Sequence, residues 1–179
     1  MTTPLPQRPS LIARLRAADA DALDEVYRRE GAVLLRTATW LLGSASDGED
    51  VVQDLFVGLP DAIGSYRGDG ELGAWLRAIV VRMALMRLRS ERRRREVPAE
   101  AAETMPVRED GASAIAARLT LETALRALPD DLRVVFVLKE IEGYAHAEIA
   151  MRLGIEVNTA QVRLHRARRA LRTLLEDAT

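Results

Sequence analysis

Residues 144–172 read YAHAEIAMRLGIEVNTAQVRLHRARRALR, and this stretch decides the fold: a helix, a sharp turn, and a second, basic helix. The first helix is expected to carry Ala147, Ile149, Ala150 and Leu153 up to Gly154, where glycine can take the positive φ of a tight helix-to-helix turn. In the second, Val157, Ala160, Leu164, Ala167, Leu171 and Leu174 recur at helical spacing and form an inward stripe. Asn158, Gln161, Val162, His165, Arg166 and Arg169 then fall on the opposite face. A helix held by its apolar side while presenting amides, an imidazole and guanidiniums suits a DNA major groove. Amides and guanidiniums bind base edges bidentately, and further arginines neutralise phosphates. The competing reading is a charged face that meets only water, as in many helix pairs joined through a glycine. Two features favour DNA: no acid lies between Asn158 and Arg172, and small Ala150 sits where a bulky side chain would block the crossing helices.

Outward from this stretch, composition sets limits. The chain has 179 residues, long for one small helical domain and comfortable for two. Without cysteine there are no disulfides or thiolate metal sites, and a reducing compartment is unremarkable. The N-terminal MTTPLPQRPS has no apolar core of a signal peptide, and no later run approaches the roughly twenty apolar residues that span a bilayer. A soluble, cytoplasmic protein without membrane insertion is therefore expected. Net charge is −1, but the charges are segregated. Residues 47–71 hold Asp47, Glu49, Asp50, Asp54, Asp61, Asp69 and Glu71 against Arg67 alone, whereas residues 77–95 hold eight arginines against Glu91. One partner meets a negative surface and another a positive one.

Along the chain, Ser10 is positioned to cap a helix beginning LIARLRAAD. Two further amphipathic helices are expected over Ala22–Arg29 and Ala32–Leu42, separated by Gly31 and closed by Gly43-Ser44. In SDGEDVVQDLFVGLPDAI, Ser46 or Asp47 is the expected cap, and Val51, Val52, Leu55, Phe56 and Leu59 form the inward face. Asp47, Asp50 and Asp54, with Gln53, form an outward acidic ridge that is either a solvated face or a contact surface. Gly58 and Pro60 are expected to end or kink this helix. The glycine-rich stretch from Tyr66-Arg67-Gly68 to Gly73 lacks the ending of a phosphate-binding loop and reads as a connection with possible nucleic-acid contacts. From Ala74 to Arg95 runs a largely apolar helix with a cationic stripe of Arg82, Arg89 and Arg93, suited to a phosphate backbone.

Residues 1–95 are thus expected to form one helical domain. Residues 96–112, with two prolines and five acids against one base, form an acidic linker unable to bury a core. Residues 113–179 form a second domain: one helix ending at Leu128-Pro129, another from about Asp130 to Ile141, a stop at Gly143, then the helix-turn-helix. No sustained two-residue alternation is present, so the fold class is all-α. Two distant histidines and no cysteine give no nucleophile, metal or cofactor constellation. His146 is read as a helix-start residue, and enzymatic activity finds no support.

These residues carry a family resemblance. In the second domain it rests on Leu128-Pro129, Glu140 with Glu142-Gly143, Glu148-Ile149-Ala150, Leu153-Gly154-Ile155, Val157, Thr159 and Arg163-Leu164-His165-Arg166-Ala167-Arg168. In the first it rests on Glu49 through Phe56, Tyr66-Arg67-Gly68, Trp75-Leu76, Ala84-Leu85 and Arg87-Leu88-Arg89. From Leu11 to Leu175 the chain resembles an extracytoplasmic-function (group IV) sigma factor of bacterial RNA polymerase. The resemblance implies that Asp47, Asp50, Gln53, Asp54 and Phe56 dock on the clamp coiled coil of the largest polymerase subunit, with the flap as a further contact. It implies that Tyr66, Arg67, Trp75, Arg82, Met86, Arg89 and Arg93 hold the opened minus-10 strand. Asn158, Thr159, Gln161, Val162, Arg163, His165, Arg166 and Arg169 would then meet minus-35 DNA, and an anti-sigma factor would be a further partner. The linker would thread the polymerase beside its active site, and nucleotide chemistry would belong to the polymerase.

Departures from the family pattern bear on specificity. Gln161-Val162 stands where a cation and a serine are usual, so adenine and a thymine methyl are the expected contacts. Arg82 and Met86 replace the usual Asn and Asp, and Leu72-Gly73-Ala74 replaces Phe-Arg-Thr before Trp75. Glu156 and Asn158 replace Ser and Gly, leaving Asn158 as a candidate cap of the recognition helix. The runner-up function is a stand-alone helix-turn-helix regulator, which would need a dimer interface that no leftover apolar helix supplies. A protein-binding helical adaptor is third.

Overall fold

The structure, a computed structural model, describes residues 10–96 and 121–176. These contain α1 (Leu11–Arg16), α2 (Ala20–Leu42), α3 (Ala45–Ala62), α4 (Leu72–Glu96), α5 (Leu121–Ala127), α6 (Asp130–Phe136), α7 (His146–Leu153) and α8 (Val157–Glu176). No strand occurs among the described residues, in accord with the all-α expectation. They group into two units, one up to Ala84 and one from Leu85 onward. The expected linker beyond Glu96 and the start of a second domain near Ser113 lie outside the described residues.

In the first unit, Ser10 caps α1 as expected, its Oγ accepting the Ala13 N–H at 3.3 Å. Asp19 caps α2, accepting the Ala22 N–H at 2.9 Å. Arg14 reaches both Asp19 (3.3 Å) and Glu25 (3.2 Å) and ties α1 to α2. The break expected at Gly31 does not occur, and Ala20–Leu42 is one helix. An internal glycine costs only about 1 kcal/mol. That is less than the burial of Val26, Leu34, Ala38 and Leu41 on one face, where each large apolar side chain contributes about 1.5–3 kcal/mol. Gly43, at φ 71°, ends α2 in the left-handed turn that glycine permits.

Helix α3 starts two or three residues earlier than expected: Ser44, not Ser46 or Asp47, is the cap, its Oγ accepting the Asp47 N–H at 3.3 Å. Neither Gly58 nor Pro60 stops it, and α3 runs to Ala62 before tightening into a 3-10 turn at Ile63–Ser65. Burial of Leu55, Leu59 and Ile63 on one face holds the segment across the proline, which removes one N–H donor. Helices α2 and α3 cross closely at Gly48, where a Cβ would lie 2.9 Å from the Thr39 backbone nitrogen. The part of α4 in this unit buries Leu76, Val80, Val81 and Ala84 against the same core.

In the second unit, α6 continues through a π-helical turn at Val137–Ile141, with Gly143 at φ 77° beyond it. The Leu128-Pro129 corner is pinned by Arg133, only 3% exposed. It donates to the Leu128 carbonyl at 2.9 Å and to Asp130 at 2.7 Å. Leu125, Val135, Leu138, Ile149, Leu164, Ala167 and Leu171 form the core.

Candidate functional site

The helix-turn-helix forms where the periodicity placed it. Helix α7 begins at His146, and the Glu148 carboxylate accepts the Ala145 N–H at 2.7 Å, satisfying one donor at the helix start. Gly154 takes φ 67° and closes α7 through a hydrogen bond to the Ala150 carbonyl. Ile149 and Ala150 are buried, whereas Ala147 is exposed and Leu153 half-buried. The Tyr144 ring lies under the Arg152 guanidinium, 4.4 Å from its carbon, a cation–π contact that braces the entry to α7.

Along α8 the two faces separate. Ala160, Leu164, Ala167 and Leu171 are buried and Leu174 is half-buried. Val157, expected inward, is 42% exposed at the first position of α8. Asn158, Gln161, Val162, His165, Arg166 and Arg169 are all exposed, with Thr159 half-buried beside them. Asn158 is not the cap: the Glu156 carbonyl accepts the Ala160 N–H at 3.1 Å, which puts Asn158 inside the first turn. Arg163 is half-buried, its Nε 3.4 Å from Asp131. Arg168 pairs with Glu140 at 2.5 Å. Position 163 therefore ties α8 to α6, while the outward row runs through 158, 161, 162, 165, 166 and 169.

The second group of expected contacts surrounds the loop before α4. The Tyr66 and Trp75 rings lie 5.4 Å apart at 55°. The Tyr66 hydroxyl donates to the Gly70 carbonyl across the loop, and Arg16 donates to the Tyr66 carbonyl at 3.4 Å. Both rings are half-buried and Arg67 is exposed. On α4, Arg82, Met86, Arg89 and Arg93 are exposed. Glu91 pairs with Arg87 and Arg95, each at 3.6 Å.

On α3, Asp50, Gln53 and Asp54 are exposed and Asp47 is half-buried. Phe56, expected in the inward face, is half-buried and meets Tyr27 of α2 edge-to-face at 5.1 Å. The two rings form part of a groove of about 610 Å³ between α2 and α3, which Leu23, Leu35, Val52, Gln53 and Val57 also line. Tyr27 is 54% and Val57 75% exposed. The sequence reading missed Tyr27 and Val57. The signal available was Val57 standing outside the apolar stripe of α3, but only the approach of α2 shows it beside Tyr27. Asp24 and Glu49 line the same groove, so its apolar floor carries carboxylates at its edge.

A helix-turn-helix with an amide- and arginine-bearing second helix, on a chain that also carries an acid-rimmed apolar groove, defines a DNA-binding protein with a protein partner. Comparison with known proteins gives the family. The Sigma-70 region 2 model matches residues 26–94, and the Sigma-70 region 4 model matches residues 118–171. The chain is 32% identical to the ECF RNA polymerase sigma factor SigM of Mycobacterium tuberculosis over 92% of this chain and 83% of that protein. It is 30% identical to the RNA polymerase sigma-H factor of Pseudomonas aeruginosa over 96% and 97%. Among solved structures, CnrH in complex with the cytosolic domain of CnrY matches with a TM-score of 0.53 at 25% identity, over 94% of this chain and 97% of that one. The chain belongs to the extracytoplasmic-function sigma factors, and is a promoter-specificity subunit of RNA polymerase.

Proposed function

We propose that the acid-rimmed groove on α2 and α3 is the docking surface for core RNA polymerase, with Asp47, Asp50, Gln53, Asp54 and Phe56 engaging the clamp coiled coil of the largest subunit. The observation that supports this is the apolar groove of exposed Tyr27 and Val57 and half-buried Phe56, lined also by Asp24, Glu49 and Gln53, on the helix that presents exposed Asp50 and Asp54. Apolar burial supplies affinity, and the acids speed and orient the encounter with a basic partner. The minus-35 element meets the outward row of α8: Gln161 faces adenine, Val162 a thymine methyl, and Arg166 and Arg169 the phosphates or guanine edges. Asn158, Thr159 and His165 complete that surface, and Arg163 acts from its seat beside Asp131 by fixing the pitch of α8.

The opened minus-10 strand stacks at Tyr66 and Trp75, with Arg67, Arg82, Met86, Arg89 and Arg93 along its path. Extruding a base costs a few kcal/mol, which stacking at about 1–3 kcal/mol per base offsets. In this reading the subunit confers specificity while the polymerase performs the chemistry in the cytoplasm. The CnrH and RpoE relatives were solved in complex with CnrY and with the anti-sigma factor NepR. An anti-sigma partner for this chain would silence it by covering the docking groove and α8. A pull-down with core polymerase tests the docking surface: Asp50→Ala/Asp54→Ala is expected to lose most of the bound fraction while retaining its helical circular dichroism. Undiminished binding by the folded double variant would refute the assignment.

A further inference from the structure

Helix α8 carries five arginines, at positions 163, 166, 168, 169 and 172. Arg166, Arg169 and Arg172 are exposed, and Arg163 is seated beside Asp131. Arg168 is held as well: its guanidinium donates from Nη2 to Glu140 Oε1 at 2.5 Å. Both partners of this pair are exposed. Helical spacing sets Arg168 at the edge of the outward row, three residues after His165, four before Arg172 and seven after Gln161. When the outward row lies in a groove, a cation at its edge stands towards the phosphates that wall the groove.

The π-helical turn brings Glu140 to this place. The Glu142 N–H reaches back five residues to the Val137 carbonyl at 3.0 Å, and the Tyr144 N–H bonds the Leu138 carbonyl at 2.9 Å. Lys139 Nζ donates to the Tyr144 carbonyl at 3.3 Å. The backbone on both sides of Glu140 is therefore tied down, and its carboxylate is presented to α8 from a fixed seat. An exposed ion pair adds little to stability. Its consequence lies at the DNA: it occupies one guanidinium and sets a negative charge where a phosphate would otherwise approach.

We propose that Glu140 restrains the DNA affinity of α8 by holding Arg168 off the phosphate backbone. This rests on the reading that α8 meets the minus-35 duplex. A phosphate contact strengthens binding to every sequence alike and makes it more dependent on salt. Withholding one therefore weakens α8 on all duplex DNA and leaves the base contacts of Gln161 and Val162 as they are. Duplex DNA is then held firmly only when α8 acts together with the other promoter contacts of the holoenzyme.

The test is a double-mutant cycle of Glu140→Gln and Arg168→Ala in the full chain, read as binding to a fluorescent duplex of random sequence across a salt series. Glu140→Gln is expected to tighten binding and to steepen the log–log salt slope by about 0.9, an extra loss of roughly threefold to fourfold in affinity between about 50 and 200 mM salt. Arg168→Ala is expected to leave the wild-type slope unchanged and to return that of Glu140→Gln to it. A slope that Glu140→Gln does not alter would overturn the proposal, because the freed guanidinium would then reach no phosphate. A gain that survives Arg168→Ala overturns it too, since a general charge effect would explain it. So does an equal loss of slope from Arg168→Ala in both backgrounds. If Glu140→Gln fails to fold by circular dichroism, Arg168→Ala alone decides: an unchanged slope supports the restraint, and a slope shallower by about 0.9 refutes it. Arg166→Ala/Arg169→Ala separates the two levels. An unchanged slope in that variant sinks the DNA-binding reading of α8, and the inference with it; a shallower slope alongside an uncoupled cycle sinks only the role of Glu140.

Discussion

The crossing of α2 and α3 depends on one missing methyl group, and replacing it has a calculable effect. In Gly48→Ala the new Cβ would lie 2.5 Å from Thr39 Oγ1, 2.9 Å from its backbone nitrogen and 3.1 Å from its Cα. Two of these atoms are main chain, so no rotamer change relieves the contact, and the helices must separate by about 0.5–1 Å to regain ordinary van der Waals distances. Overpacking of this kind costs about 1–3 kcal/mol, and with backbone atoms involved the upper end applies. The gain from replacing a helical glycine by alanine returns about 1 kcal/mol. The net is a loss of about 2 kcal/mol, or roughly 8–16 °C in Tm for a domain of this size. Gly58 in the same helix has nothing within 4 Å of its would-be Cβ, so Gly58→Ala is expected to raise Tm by a few degrees from the same propensity gain, about 0.5–1 kcal/mol. Both tryptophans, Trp40 and Trp75, belong to the first unit, so thermal unfolding followed by tryptophan fluorescence isolates it. A Gly48→Ala variant that melts at or above the wild type would refute the reasoning, because the helices would then have room that the geometry denies them.

Two further outcomes are expected. Selection by the holoenzyme from templates randomised at minus-35 should enrich adenine and thymine opposite Gln161 and Val162, giving an element unlike the common family one; enrichment of the common element would contradict that pairing. The hydrogen bonds from Arg14, and then that from the Ala22 N–H, hold the Asp19 carboxyl below the usual carboxylate range. Because this folded-state pKa is depressed, its stabilisation is present above the unfolded value of about 3.9 and is lost as pH falls through the lower folded one. Asp19→Asn keeps the cap acceptor and loses the ion pair, whereas Asp19→Ala loses both. Tm at neutral pH should therefore fall in the order wild type, Asn, Ala, with the gap between wild type and Asn closing in acid; a gap that persists unchanged would argue against the ion pair.

The helix-turn-helix was legible because its signals are local. A helical period of apolar residues, a glycine able to take positive φ and an acid-free outer face depend on nothing distant in sequence, and α8 folded with those faces. Elsewhere a competing tertiary term wins. Gly31 suggests a break between two helices, but the apolar face it interrupts is buried on both sides of it, and α2 continues. Pro60 suggests an end or a kink, yet Leu59 and Ile63 carry the chain past it. The surface of α2 and α3 was half legible: the acids of α3 stand out by their spacing, whereas Tyr27 and Val57 become one groove only when α2 meets α3. Gly48 and Arg133 were invisible for the same reason. Each is explained by an atom reached through folding, namely the Thr39 nitrogen and the Leu128 carbonyl, and no residue pattern along the chain encodes that approach.

If one face of this chain binds polymerase while another selects the promoter, run-off transcription by core RNA polymerase on genomic fragments, with core binding measured in parallel, separates the two roles. The wild type should yield specific transcripts. Asp50→Ala/Asp54→Ala should lose both transcripts and core binding, whereas Gln161→Ala/Arg166→Ala should keep core binding and lose or redirect the transcripts. Transcripts that survive both double variants unchanged, or loss of core binding by the α8 variant, would contradict the division of labour between the two faces.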